Sequence, residues 1–474
     1  MSWKYTIDDF KSHQIYTIAK AFKLKHAAIF LGTGLGKTIV ALTLIDQLLK
    51  RDLIKSALVI CTKKAMYNTW RQEAKLWKHT QYLKFSIIHG DAAHGPSEHV
   101  KRRHLFKPSH IYLINYEGLP WLAHTFHHNY HNRPLPFQCI FYDESTKMKH
   151  STTQRFKKFK KWMNHFIYRY PMTGTPAPNG LMDLYGQIYI MDLGTSLGTT
   201  LGSFRSRFFA AIPQQNYCTY KPLKGAKKAI AKRIKSRTIY LRKQDYVKLP
   251  PIIYNKILLD LPDKLRGKYD ELETTFFLEL EKAKVEAFSK GALSMKLRQF
   301  LQGKVYTGPL ENRRIVKIHT EKLQMIEEVM EGIGNCIVAY NFRFERDDLQ
   351  NVFKNAPAIE GRTTDKQAEE YIKQWNLKKL PVLLYNPASD PHGLNLQFGG
   401  HNILWYSLTW NLEHYIQLID RLWRQGQKHK VFVHQILFRD TIDEVVFEAL
   451  SAKTAIQETL LNKLRQYKEK KGGE

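Results

Sequence analysis

Residues 26–41 read HAAIFLGTGLGKTIVA. An apolar run leads into Gly32-Thr33-Gly34-Leu35-Gly36-Lys37-Thr38, and a helical pattern follows over 38–50. That order is strand, glycine-rich loop, helix. Glycines let the backbone curl so that its N–H groups face an anion, and the helix N-terminus adds its dipole. In such a loop Lys37 reaches the β- and γ-phosphates of a nucleotide and the Thr38 hydroxyl holds Mg²⁺. The strict phosphate-loop spacing wants glycine at 31, where this chain has Leu31. A glycine turn that merely precedes a Lys-Thr pair is the alternative reading of this stretch alone.

Outward from it, short apolar runs alternate with helical patterns. They are 57–61, 85–88, 111–115, 139–142 and 166–170, then 336–340, 382–385, 403–406 and 431–436. Alternating strand and helix predicts parallel sheets, and two clusters predict two α/β domains. The expected division is 1–250, with a basic helical extension from about 180, and 251–474, with a helical insertion at about 260–330. One long helical pattern runs from 263 to 301. The charged tail from 463 is expected to fray.

The run Cys139-Ile-Phe-Tyr ends in Asp143-Glu144. An Asp at a strand tip suits Mg²⁺ coordination through water, and a neighbouring Glu can polarise the attacking water. Gln417, Arg421 and Arg424 stand at i, i+4 and i+7, one face of an expected helix. Two guanidiniums facing one way can clamp a transferring phosphoryl group.

Composition narrows the partners. There are 74 Lys+Arg against 43 Asp+Glu in 474 residues, a net charge of +31. That excess predicts a polyanionic partner, nucleic acid before an anionic membrane surface. Residues 147–169 hold eight Lys/Arg and no acid, residues 221–248 hold eleven and one Asp, and Lys101-Arg102-Arg103 adds a third cluster. No recognition helix or zinc finger is evident, so binding is expected to the backbone without reading sequence. No run is long and apolar enough to span a membrane, and the N-terminus does not resemble a signal peptide. The four cysteines form no C-x-x-C pair; three, Cys61, Cys139 and Cys336, sit in or beside apolar runs and suit core thiols, and the pattern suits a reducing cytoplasm. His124, His127, His128 and His131 have helical spacing that could hold a metal, but Asn129, Asn132 and Pro134 favour a polar loop. Trp405, Trp410 and Trp423 read as packing residues and not as base-stacking platforms.

Taken together these motifs resemble the Snf-type (chromatin-remodeller-like) DNA translocases of helicase superfamily two, in family order from about residue 10 to 450. Asp143-Glu144-Ser145-Thr146 resembles the second motif. Met172-Thr173-Gly174-Thr175-Pro176 with Asn179 resembles the third. Gly393-Leu394-Asn395-Leu396 and Trp410-Asn411 also resemble that group, and Gln417-x-x-x-Arg421-x-x-Arg424-x-Gly426-Gln427 resembles the sixth motif. His13-Gln14 resembles the upstream adenine-reading motif, Arg242-Lys243 with Leu249-Pro250 a segment between the lobes, and Thr441–Glu444 the helix after the last motif. The chain departs from the pattern at Ser389–His392, Thr62 and Ser145-Thr146.

The resemblance implies two RecA-like parallel-sheet lobes with an inserted helical region. It implies ATP and Mg²⁺ as cofactors, and Arg421 and Arg424 acting from lobe two on ATP held by lobe one. Lys63, Thr173, Gly174, Thr175, Asn179, Gly393, Asn395 and Trp410 are implied to contact nucleic acid or couple it to hydrolysis. The expected activity is ATP-driven movement along, or remodelling of, duplex or branched DNA by a small bacterial or phage-like enzyme in the cytoplasm. An RNA helicase, a transcription-linked translocase and a non-catalytic nucleic-acid-binding protein are the alternatives.

Overall fold

The computed structural model describes residues 3–89, 97–130, 135–213, 218–282, 287–309, 312–354, 356–389 and 394–469; over 276–293 and 456–469 it describes backbone only. It divides into two compact units, one of 1–212, 220–247 and 455–474, the other of 213–219 and 248–454.

Unit one is built on β1 (Ala28–Leu31), β2 (Ala57–Cys61), β3 (Phe85–Ile87), β4 (Ile111–Asn115), β5 (Cys139–Asp143) and β6 (Tyr168–Thr173). Strands β7 (Phe209–Pro213) and β8 (Cys218–Pro222) pair as a separate ribbon, and β9 (Thr238–Leu241) joins the main sheet. The main order is β3-β4-β2-β5-β6-β1-β9, and every pairing in it is parallel. Parallel strands need helical crossovers, which cover both faces and make the strands continuously apolar. Successive side chains therefore enter opposite cores: Leu58 and Ile60 pack on one face, Ala57 and Val59 on the other.

Unit two repeats the plan. Its strands are β10 (Ile252–Leu259), β13 (Cys336–Ala339), β14 (Ala358–Ile359), β15 (Val382–Tyr385), β16 (Asn402–Trp405) and β17 (Val431–Phe438). They are all parallel in the order β10-β17-β16-β13-β15-β14. Strands β11 (Lys304–Thr307) and β12 (Arg314–Lys317) form an antiparallel hairpin beside it. Ile337 and Ala339 face one core, Cys336 and Val338 the other.

Several expectations change. The interval read as helical contains β7 to β12, because alternating Thr-Ile-Tyr-Leu and Ile-Ile-Tyr-Asn runs can add edge strands to each sheet. Of the single helix expected over 263–301, Asp263–Lys282 and Ala287–Leu301 are helical, and 283–286 lie outside the described residues. The last helix, Ile442–Glu469, extends into the segment expected to fray, of which 470–474 lie outside the described residues. The histidines are not in a loop: Leu119–Tyr130 is helical, and the His124 and His128 Nε2 atoms lie 3.1 Å apart. His131 falls outside the described residues, among which no group of three metal-ligating side chains occurs. Cys61, Cys139 and Cys336 are buried as expected, and Cys218 is exposed. Trp405 is fully buried and stacks on Tyr415. Among the described residues no helix is long and apolar enough to cross a membrane.

Candidate nucleotide site

In unit one, register brings three chain segments to one edge of the sheet. β1 lies beside β6, with Phe30 opposite Thr173, and β6 lies beside β5, with Met172 opposite Asp143. The strands are parallel, so their C-terminal ends share an edge, where open α/β sheets bind ligands. The glycine loop, the Asp143-Glu144 tip and Thr173-Gly174-Thr175 are therefore neighbours.

The loop leaves β1 at Leu31, which is fully buried and ends the strand in place of a glycine. Gly32 N donates to Leu241 O at 3.0 Å, tying the loop to β9. Gly34 is exposed, and Gly36 caps the helix Lys37–Lys50 at φ 82°. An L-residue is strained there. A Cβ on Gly36 would also come within 2.3 Å of Gln14 Nε2. Thr38 is the second residue of that helix and is half-buried. Lys37 Nζ donates to Leu31 O at 3.1 Å, so the ammonium lies over the loop it closes. Gln14 Nε2 donates to Leu35 O at 3.5 Å, and His13 Nε2 lies 3.2 Å from the same oxygen. The expected adenine-reading residue thus rests on the phosphate loop.

Asp143 and Glu144 are half-buried. Glu144 adopts φ 62°, ψ 59°, a left-handed conformation that costs a non-glycine residue about 1–3 kcal/mol and clusters at functional sites. Its Oε1 accepts from the Thr173 hydroxyl at 2.7 Å and from the Thr146 hydroxyl at 3.2 Å. Thr173 Oγ1 in turn accepts from Thr175 N at 3.1 Å. A Cβ on Gly174 would sit 3.2 Å from Thr33 Oγ1 and 3.5 Å from Lys37 Nζ, so glycine lets the third segment close on the loop. The third motif therefore touches both the loop and Glu144. Asn179 is a turn residue whose amide donates to Asp183 Oδ2 at 3.1 Å.

Three residues here were not singled out from the sequence. Trp70 Nε1 donates to Asp143 Oδ2 at 3.0 Å. The Tyr116 hydroxyl lies 2.8 Å from Asp143 O and 3.1 Å from Glu144 O, donating between them. Gln187, fully buried, accepts from the Ser145 hydroxyl at 2.8 Å and donates to Pro176 O at 2.6 Å, joining the second and third segments. They lie on helices that carry no recognised motif, Trp70–Leu76, the short turn Tyr116–Gly118 and Leu184–Asp192.

In unit two, Gln417 and Arg421 lie on the helix Leu412–Leu422, with Gln417 Nε2 donating to Glu413 Oε1 at 3.4 Å. Arg424 does not share their helical face. The helix stops before Trp423, whose indole N–H is drawn to Pro250 O at 2.7 Å, and Gly426 turns at φ 100°. Arg424 Nη1 instead donates to Leu394 O at 3.0 Å. Arg421 is buried, and Arg424 is half-buried. Burial first, then the charge of Arg421, brings the Arg424 guanidinium down to about 10, with Asp420 acting in the other direction. Asn395 is exposed and its carbonyl accepts from Asn376 Nδ2 at 2.7 Å. Trp410 packs against the core, its carbonyl accepting from Lys453 Nζ at 2.8 Å. Gly393 lies outside the described residues.

Of the basic stretches, Lys157, Lys158 and Lys160 are exposed on the helix Gln154–Lys160, and Lys228, Lys232 and Arg233 on Ala226–Ile234. Lys63 is exposed too. Arg169 and Lys243 are not part of that surface. Arg169 is buried, donating to Met191 O at 2.8 Å and Phe166 O at 2.7 Å, and Lys243 is buried against Gly32.

The SNF2-related domain family matches residues 25–317. Protein p41 of Acyrthosiphon pisum secondary endosymbiont phage 1 is 32% identical over 480 residues, covering 96% of this chain and 98% of p41. An uncharacterized ATP-dependent helicase of Mycoplasma pneumoniae is 24% identical over 432 residues, 89% of this chain and 38% of the helicase. The mouse DNA repair and recombination protein RAD54B is 22% identical over 486 residues, 91% of this chain and 53% of RAD54B. The chain thus spans nearly all of the phage relative but about half or less of the other two. With a family matched over more than half its length and p41 similar along nearly all of it, this chain belongs to the SNF2-related family of ATPases and helicases.

Proposed function

We propose that the protein is an ATP-dependent translocase acting on duplex or branched DNA, gripping the backbone without reading sequence. The observation that supports this most is the junction of Lys37, Glu144 and Thr173 at one sheet edge. The residues present suit MgATP: an N–H-rich glycine turn, an ammonium, a helix N-terminus and two carboxylates. Thr38 and Asp143 would hold Mg²⁺, which when bound offsets phosphate charge.

In this reading Lys37 holds the phosphates and Gln14 the adenine. Glu144 takes a proton from the attacking water, its carboxylate aimed by Thr173 and Thr146. Arg421 and Arg424 stabilise charge that develops on the phosphoryl group, and Gln417 positions beside them. Thr173, Thr175 and Gly174 link that chemistry to the strand. The exposed lysines and arginines around residues 154–160 and 226–235, with Lys63, supply phosphate contacts. Remodelling of replication, recombination or repair intermediates in a bacterial or phage-infected cytoplasm is the role this activity suits.

ATP hydrolysis measured with duplex DNA, single-stranded DNA, forks, four-way junctions and RNA tests the reading. Duplex or branched DNA is expected to stimulate most, and stimulation by RNA alone overturns the DNA assignment. Glu144→Gln is expected to lower turnover by about 10²-fold or more while ATP still binds; wild-type turnover removes Glu144 from its role.

A further inference from the structure

We infer that Trp70 is a positioning residue for the Mg²⁺-bound nucleotide, acting through Asp143. The inference rests on the proposed role of Asp143 and adds a residue outside every recognised motif. Trp70 opens the helix Trp70–Leu76 directly after a π-helical turn, Ala65–Thr69. A π turn carries one residue more than an α turn and is frequent at functional sites. It rotates Trp70 away from where an unbroken α-helix would direct it. The side chain is fully buried in the core that also contains Cys61, Met66 and Phe141.

That burial gives the contact its meaning. An indole has one donor and no acceptor. Trp70 spends its N–H on Asp143 Oδ2 at 3.0 Å, and the surrounding core prevents the ring from turning away. That hydrogen bond holds one carboxylate oxygen and so restrains the plane of the carboxylate that would face a metal-bound water. The Tyr116 hydroxyl holds the Asp143 and Glu144 carbonyls from within the other core, so side chain and backbone of the acid pair are anchored from opposite faces of the sheet. Support of this kind keeps metal-site groups in place and is costly to remove.

Trp70→Phe keeps an aromatic ring in the core and deletes the donor. The Mg²⁺ concentration for half-maximal ATPase is expected to rise about tenfold, as loss of a hydrogen bond to a charged group implies. Affinity for ATP in EDTA is expected to stay at the wild-type value. A folded variant with wild-type Mg²⁺ dependence overturns the inference, and so does an equal loss of Mg²⁺-free binding. The second readout needs no variant activity. In 5-fluorotryptophan-labelled wild-type protein, with nine tryptophans, the ¹⁹F line absent from Trp70→Phe is assigned to Trp70. If Trp70→Phe does not fold, Asp143→Asn identifies the line by its displacement. The line is expected to move with MgADP and not with ADP in EDTA. A line indifferent to Mg²⁺ overturns the inference. Failure of the ATPase reading is seen separately, as wild-type turnover in Glu144→Gln.

Discussion

Thr173 shows how much one side chain decides in this site. Its hydroxyl donates to Glu144 Oε1 and accepts from Thr175 N, and the residue is fully buried. Valine has the same shape but neither hydrogen-bonding function. Thr173→Val leaves the Thr175 amide without that acceptor, at about 1–3 kcal/mol, and releases one hold on the carboxylate. DNA-stimulated kcat is expected to fall about tenfold, with the KM for ATP nearly unchanged. Steady-state ATPase kinetics check this; an unchanged kcat removes Thr173 from the activation of Glu144. Glu144 itself was legible as an acid beside Asp143. Its left-handed backbone was not, because glutamate has no preference for that conformation and the Tyr116 hydroxyl that holds its carbonyl comes from a distant segment.

Elements follow sequence where apolar runs are bounded by turns, and depart where tertiary contacts overrule local pattern. β2, β4 and β15 have the limits their apolar runs predict. β6 runs on through Pro171 to Thr173, although proline has no N–H for the ladder and is uncommon inside a central strand. Pairing with β5 and β1 holds it, and that extension is what delivers Thr173 to the site. Helical periodicity carried Arg424 past the true end of its helix, which Gly426 and the Trp423 contact set. The entry to β1 carries its own pH dependence. His26 bridges to Arg169, and burial, then the charges of Arg169, Arg237 and Lys25, lowers it from 6.5 to about 4, the Lys25 backbone acting oppositely. The fold thus favours neutral His26. Its stabilisation is complete above pH 6.5 and is lost as pH falls toward 4. Thermal denaturation between pH 7.5 and 5 is expected to show a falling Tm, less steep in His26→Gln. Equal slopes in both proteins would exclude His26 as the source.

At the scale of the whole molecule the net charge of +31 divides into different uses. Lys37 serves the glycine loop, and Arg169 and Lys243 hold the fold from inside. The exposed remainder predicts salt-sensitive DNA binding. With 6–10 phosphate contacts, affinity falls by about 10³–10⁵ between 50 and 200 mM salt. Replacing Lys157, Lys158, Lys228 and Lys232 by alanine is expected to flatten the slope of log affinity against log salt by about 1 for each phosphate no longer neutralised. Fluorescence anisotropy at several salt concentrations measures it, and an unchanged slope places the DNA elsewhere.

By itself the sequence determined the two parallel α/β sheets, the glycine loop, the acid pair and the basic excess, because these rest on local spacing and on side-chain chemistry. Only the tertiary structure decided which residues serve them. Pairing β5, β6 and β1 side by side turned residues far apart in the chain into neighbours. Burial then separated the structural Arg169 from exposed lysines of the same run, and brought Trp70 and Tyr116 to a site no motif assigns them. A hydrogen bond between distant segments depends on strand register and core packing, and neither is written in the spacing of one segment.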